Sequence, residues 1–152
     1  FFYVSRSFDQ HLDFDLELAK QQNNLNPVYY IQYANARISS VIREIEKKGY
    51  KSNRGLGIKN IGSLDSKHES ELISMLQKYP EIIKKSADQR AVNKLSNYLK
   101  EIAQLFHSYY ASQKFVIEDN EMRNARIILL RCVSIVIQDG LSLLGVSSPS
   151  KM

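Results

Sequence analysis

Tyr29, Tyr30, Tyr33 and Arg37 recur at a spacing that gathers one kind of chemistry on one side of a helix. At about 100° per residue, the four side chains fall within about 100° of arc. Ile31, Ile38, Ile42 and Ile45 fall in a separate, narrow sector, the face a core would cover. Tyrosine rings beside a guanidinium suit unstacked nucleobases, at roughly 1–3 kcal/mol per stacked base. The arginine can also fork onto a base edge or a phosphate. In a plainer reading, the rings lean on a neighbouring helix and leave their hydroxyls in water. Spacing alone leaves both open.

A second group is basic. Lys47, Lys48, Lys51, Arg54 and Lys59 lie in a stretch with no acidic residue. Lys51, Arg54 and Lys59 are candidate phosphate contacts, and a solvated mobile loop is the alternative. Gly55 and Gly57 lack the third glycine and the preceding strand of a dinucleotide-binding turn, which excludes that use. Asp13, Asp15 and Glu17 make one solvated face more simply than an acid–base pair. His11, His68 and His107 are far apart in sequence. Cys132 is expected on an apolar helix face, where a buried thiol stays protonated. No catalytic residue and no metal site is expected. His107, next to Phe106, reads as a helix-surface or packed histidine.

The elements that must position these residues are helical. Asn26-Pro27 is a helix start, a capping residue followed by proline at the first helical position. That helix should cover 27–48 and stop at Gly49. Residues 49–64 hold Gly55, Gly57 and Gly62 and read as an irregular loop. Ser66 and Glu69 form a capping box for a helix ending near Tyr79, and Pro80 opens a short one to about residue 87. A long helix is expected over 90–114, with Leu95, Tyr98, Ile102, Leu105, Phe106 and Tyr109 inward. Asn120 caps a last helix carrying Ile128, Leu129, Cys132, Val133 and Val136. Gly140 either kinks that helix or admits a close neighbour, and Gly145 stops it. Pro149 keeps the 147–152 tail from being helix throughout. Earlier, Leu12, Phe14, Leu16 and Leu18 alternate as in a strand, although Asp13 equally caps a short helix to about residue 22. The sum is an all-α bundle of four to six helices with one basic loop.

Composition agrees. Hydrophobic residues form 43% of 152, enough for a core, and 6 Gly with 3 Pro are too few for a turn-rich all-β chain. A net charge of +5 and a pI near 9.3 favour an anionic partner. One cysteine excludes an intrachain disulfide and suits a reducing cytoplasm. No signal peptide or membrane span is found. The opening Phe1-Phe2-Tyr3, without methionine, fits a piece of a longer chain.

The run Asn26-Pro27-Val28-Tyr29-Tyr30-Ile31-Gln32-Tyr33-Ala34-Asn35-Ala36-Arg37-Ile38 resembles the helix that opens the anticodon-binding domain of bacterial-type arginyl-tRNA synthetases. Ser5-Arg6-Ser7, His11-Leu12-Asp13-Phe14-Asp15-Leu16 and Ala19-Lys20 resemble the segment where that family's catalytic domain hands over to it. Ala103-Gln104-Leu105-Phe106-His107, Ala125-Arg126, Gly140-Leu141 and Leu144-Gly145-Val146 through Met152 match later in order. The likeness is weakest over 47–67.

The resemblance implies the helical bundle called the DALR anticodon-binding domain, with residues 1–22 a junction and 23–152 the domain. It implies a pocket around anticodon-loop bases formed by Tyr30, Tyr33, Arg37 and Met152. Arginine tRNA, held by its anticodon loop, is the implied partner, together with the missing catalytic domain of the same polypeptide. The chain is expected to be a cytoplasmic monomer with no membrane partner. Neither a HIGH-like nor a KMSKS-like motif occurs, the terminal Ser150-Lys151-Met152 is not such a loop, and there is no alternating βα pattern. ATP and Mg are therefore expected in the catalytic domain and no cofactor in this chain, which should hold tRNA without charging it. The rival is a helical protein-interaction domain docking through the tyrosine face.

Overall fold

A computed structural model of the chain describes residues 1–6 and 13–152, so the expectations placed on Ser7, His11 and Leu12 lie outside the described residues. Those residues form six α-helices and no strand. They are α1 Leu16–Lys20, α2 Pro27–Lys47, α3 Arg54–Lys59, α4 Lys67–Asp88, α5 Asn93–Ser112 and α6 Asn120–Leu143, with 3-10 turns at Tyr3–Ser5 and Ile61–Ser63. No helix among them is long and apolar enough to cross a membrane.

The start of α2 follows from two residues. Asn26 Oδ1 accepts from the N–H groups of Val28 and Tyr29 at 3.0 and 3.4 Å, and its amide donates back to the Ala19 and Gln21 carbonyls. Pro27 sits where no N–H is needed. Gly49, at φ +81°, ends the helix, with Tyr50 N–H reaching the Ile45 carbonyl at 3.3 Å. Of the segment that alternates as in a strand, residues 16–20 form helix, with Asp15, not Asp13, capping α1 through Leu18 N–H at 2.9 Å.

Ile31, Ile38 and Ile45 of α2 are buried against α5 and α6, which carry Leu99, Ile102, Phe106, Leu130, Val133 and Ile137 into the same core. Gly140 admits a close neighbour: a Cβ there would lie 2.6 Å from the Leu99 side chain. α4 closes the core with Leu72 and Met75. Glu69, fully enclosed, joins three helices by accepting from Tyr109 Oη at 2.7 Å and from Arg126 Nε at 3.0 Å.

Several expectations need correction. Residues 49–64 are not simply a loop. Asn53 Oδ1 accepts from Leu56 N–H at 3.0 Å and starts α3, and Asn53 N–H is itself held by Asn124 Oδ1 at 2.6 Å. Of the glycines that read as loop signals, Gly57 serves close packing, since a Cβ there would meet the Asn124 carbonyl oxygen of α6 at 2.5 Å. Gly57→Ala should therefore destabilise the chain by about 1–3 kcal/mol, the range for overpacking against rigid backbone. Urea unfolding checks this, and an unchanged midpoint would contradict the packing account.

Pro80 does not divide two helices; α4 runs through it. The proline is exposed, and Tyr79, Ile82 and Ile83 pack on the core to either side, so packing outweighs the lost hydrogen bond. α5 begins at Asn93 rather than near Arg90, whose φ of 50° is incompatible with helix. Asp119, not Asn120, caps α6 through the N–H groups of Glu121 and Met122. Cys132 is exposed, not buried. The buried row of α6 is Leu130, Val133, Ile137 and Leu141, which turns position 132, like the exposed Ile135, to the far side.

Candidate nucleic-acid interface

α2 carries the tyrosine stripe, and α5 supplies the wall that faces it. Tyr29 and Tyr33, one turn apart, stack at 6.1 Å with ring planes 14° apart. His107 of α5 stands 4.5 Å from the Tyr30 ring and 5.7 Å from the Tyr33 ring, centroid to centroid. Its Nε2 lies 3.2 Å from the Tyr30 carbonyl, which can only accept, so Nε2 holds the proton. Nδ1 is then an acceptor, 3.5 Å from Arg37 Nη1. Burial pushes the imidazole pKa down, the Tyr30 carbonyl opposes that shift, and the Arg37 charge adds to it. The ring is neutral at pH 7. Burial also raises the Tyr30 phenol, with Arg37 opposing, so this hydroxyl keeps its proton.

Arg37 is held by π faces and a hydroxyl. Its Nη2 donates to Tyr33 Oη at 2.7 Å, and its Cζ lies 4.5 Å from the Tyr33 centroid and 4.4 Å from that of Tyr110. None of the ion pairs among the described residues includes it. The charge is positioned without being neutralised, which leaves it to an anionic or acceptor-rich ligand.

The Tyr33–Arg37 pair is a wall shared by two grooves. One, of about 460 Å³, is lined by Asn23, Asn24, Tyr29, Tyr30, Tyr33, Arg37 and His107. The other, of about 430 Å³, is lined by Tyr33, Ala36, Arg37, Ser40, Arg43, Tyr110, Lys151 and Met152. Among the described residues, the second brings three cationic side chains together with no acidic one. A larger cavity of about 610 Å³ beside Phe1, Phe2 and Gln32 has, among the described residues, Lys20 as its one charged side chain and is less suited to an anion.

Met152 reaches the second groove because the chain reverses after α6. Gly145, at φ +69°, makes the turn, with Val146 N–H to the Leu141 carbonyl at 2.8 Å and Gly145 N–H to Ser142 at 2.9 Å. The tail then lies along α2. Gln32 Nε2 donates to the Ser147 carbonyl at 2.8 Å and Asn35 Nδ2 to those of Ser148 and Pro149 at 3.0 and 3.1 Å. Arg43 Nη2 donates to the Ser150 carbonyl at 3.1 Å.

Of the residues singled out from sequence, Tyr33, Arg37 and Met152 therefore share one groove, and Tyr30 joins Tyr33 and Arg37 in the other. Tyr29 is half-buried and lines the first. Lys51, Arg54 and Lys59 are exposed at or near α3 and line neither groove. Sequence reasoning missed His107, Tyr110, Arg43 and Lys151 as lining residues. His107 and Tyr110, three apart on α5, lie beside the inward row rather than in it, and that spacing was the available signal.

Comparison with known proteins bears on the same region. The family described as "DALR anticodon binding domain" matches residues 31–152. The chain is 51% identical, over all 152 residues, to an arginine–tRNA ligase of Coxiella burnetii (strain CbuK_Q154), of which it covers 26%. It is 45% identical to that of Legionella pneumophila (strain Corby), also covering 26%. It thus spans about a quarter of the length of these relatives. The solved Thermus thermophilus arginyl-tRNA synthetase superposes with a TM-score of 0.82 over 99% of this chain and 25% of that one. At 24% identity, that likeness shows the fold.

Proposed function

The chain belongs to the DALR anticodon-binding domain family, and from that premise we propose that it grips the anticodon arm of arginine tRNA for an arginine–tRNA ligase. The carrying observation is the un-neutralised Arg37, clamped between Tyr33 and Tyr110 where two grooves meet. Anticodon-loop bases splay out of the stack and settle on the tyrosine faces. Arg37 forks onto a base edge, Arg43 and Lys151 face the phosphates, and Met152 closes the groove over an apolar base surface. Neutral His107 holds the wall by linking the Tyr30 backbone to the Arg37 guanidinium.

Function here is positioning. Holding the anticodon arm places the distant acceptor end in an active site supplied by another part of the longer protein, which joins arginine to tRNA at the expense of ATP. Residues 1–22 serve as the junction to that part, and the cytoplasm is the setting. The described residues do not fit ATP and Mg. No group of three or more His, Cys, Asp or Glu that could hold a metal ion comes together among them. Nor does a strand lead into a glycine-rich turn among the described residues. We assign both to the catalytic part. The isolated chain should show no ATP–pyrophosphate exchange and no tRNA charging. Arginine activation by pure chain, abolished by a point change within it, would overturn this division of labour.

Salt dependence separates tRNA binding from docking of a protein on the tyrosine face. Affinity for an arginine-tRNA anticodon stem-loop should fall log-linearly with salt, each phosphate neutralised adding about −0.7 to −0.9 to the slope. A slope near zero would favour the apolar docking surface instead.

A further inference from the structure

Four successive carbonyls of the tail, from Ser147 to Ser150, are received by three side chains of α2. Gln32, Asn35 and Arg43 fall within about 80° of arc at about 100° per residue, on a third face that is neither the aliphatic sector nor the tyrosine stripe. Gln32 and Arg43 make their bonds at the exposed rim, whereas Asn35 is 0% exposed. Its amide is fully used. Both N–H groups donate to the tail, and Oδ1 accepts from Ser134 Oγ at 2.8 Å and Gln138 Nε2 at 3.1 Å of α6. A buried amide with every bond made has one stable orientation, because turning it would set donors against donors and acceptors against carbonyls.

We propose that Asn35 is a positioning residue of the site: its buried amide docks the 147–150 backbone along α2 and so fixes where Lys151 and Met152 stand in the groove. This rests on the anticodon-binding reading above. The docking reads mainly main-chain carbonyls, with one side-chain contact from Gln32 Nε2 to Ser147 Oγ at 3.4 Å, so most of its strength lies in the receiving helix. Asn35 touches no groove directly and acts through the tail.

Asn35→Asp is the decisive change. The carboxylate keeps the acceptor for Ser134 and Gln138 but has no N–H for the tail, and it faces two carbonyl oxygens. Asn35→Ala removes the donors without adding charge. The chain has three methionines, so methyl-labelled methionine NMR reads Met152 beside the core residues Met75 and Met122. In both variants the Met152 methyl should move to the position of a free, solvated methionine while the other two hold. Anticodon stem-loop affinity should fall at least as far as in Met152→Ala, on the order of 10-fold. Adding Met152→Ala to either Asn35 variant should cost nothing more, because the tail has already left. A further full loss in the double variant would overturn the proposal. So would movement of all three methyls in both variants, which would make Asn35 a general core residue. If the unaltered chain binds no stem-loop, the anticodon-binding reading fails, and the Met152 methyl alone then decides whether Asn35 docks the tail.

Discussion

Arg37→Ala should weaken anticodon stem-loop binding by about 1–3 kcal/mol and relax discrimination between cognate and altered anticodons. The guanidinium has two roles that fail together. It is the cation of the wall between the grooves, and its bond to Tyr33 Oη with its place between the Tyr33 and Tyr110 rings holds that wall in shape. Arg37→Lys should restore little, since an ammonium keeps the charge but neither forks nor lies flat on a ring. Lys51→Ala should cost less, and equally on every sequence, because a phosphate contact carries no base information. Lys51 is exposed between α2 and α3 and lines neither groove. Equal losses on cognate and altered stem-loops for Arg37→Ala would reduce Arg37 to a phosphate or structural contact.

The largest stability effect is expected at the Arg126–Glu69 pair. Arg126→Met leaves a carboxylate in a fully enclosed site without its cation, at a cost of about 3–5 kcal/mol. It also removes the guanidinium bonds to the Lys114 carbonyl and Gln113 that hold the segment leading to α6. Adding Glu69→Gln should recover part of the loss, because the pair is then absent rather than broken. Burial alone would raise the Glu69 carboxyl, but bonds from Tyr109 and Ser66 and the Arg126 charge together hold it below the usual range. A carboxyl lowered in the fold stabilises it above the unfolded value of about 4.3, and that stabilisation is lost as pH falls through the lower folded value. The gap between Arg126→Met and the unaltered chain should therefore narrow as pH falls, because without the Arg126 charge the enclosed carboxyl takes up its proton at a higher pH than it does beside its cation. Urea unfolding at neutral and acid pH measures both. A neutral-pH cost under about 1 kcal/mol would mean the pair is not what joins α4, α5 and α6.

What was legible in the sequence was what is local. Asn26-Pro27, the aliphatic period and Gly49 each define α2 within a few residues, and Ser66 with Glu69 forms the expected capping box on α4. The tyrosine stripe was visible for the same reason, since one helix carries all of it. The features that stayed hidden depend on partners distant in sequence. Gly57 looked like a loop signal because its role appears only where α3 meets the Asn124 backbone. Pro80 looked like a helix start because core contacts that carry α4 across it are not written beside it. His107 reaches Arg37 across 70 positions of sequence, and Asn35 reaches Ser148 across 113. Asn35 did leave a trace, as a polar residue at the edge of an aliphatic sector, a place that needs a partner. Cys132 misled because apolar residues also occupy the exposed side of α6.

On the proposed function, the grooves either side of the Tyr33–Arg37 wall read anticodon bases. The most direct test is equilibrium binding of this chain, at one fixed salt concentration, to an arginine-tRNA anticodon stem-loop and to the same stem-loop with altered anticodon bases. The cognate loop should bind more tightly, by about 1–3 kcal/mol for each base that is read, with the preference reduced in Arg37→Ala. Equal affinity for both loops, unchanged by Arg37→Ala, would contradict it.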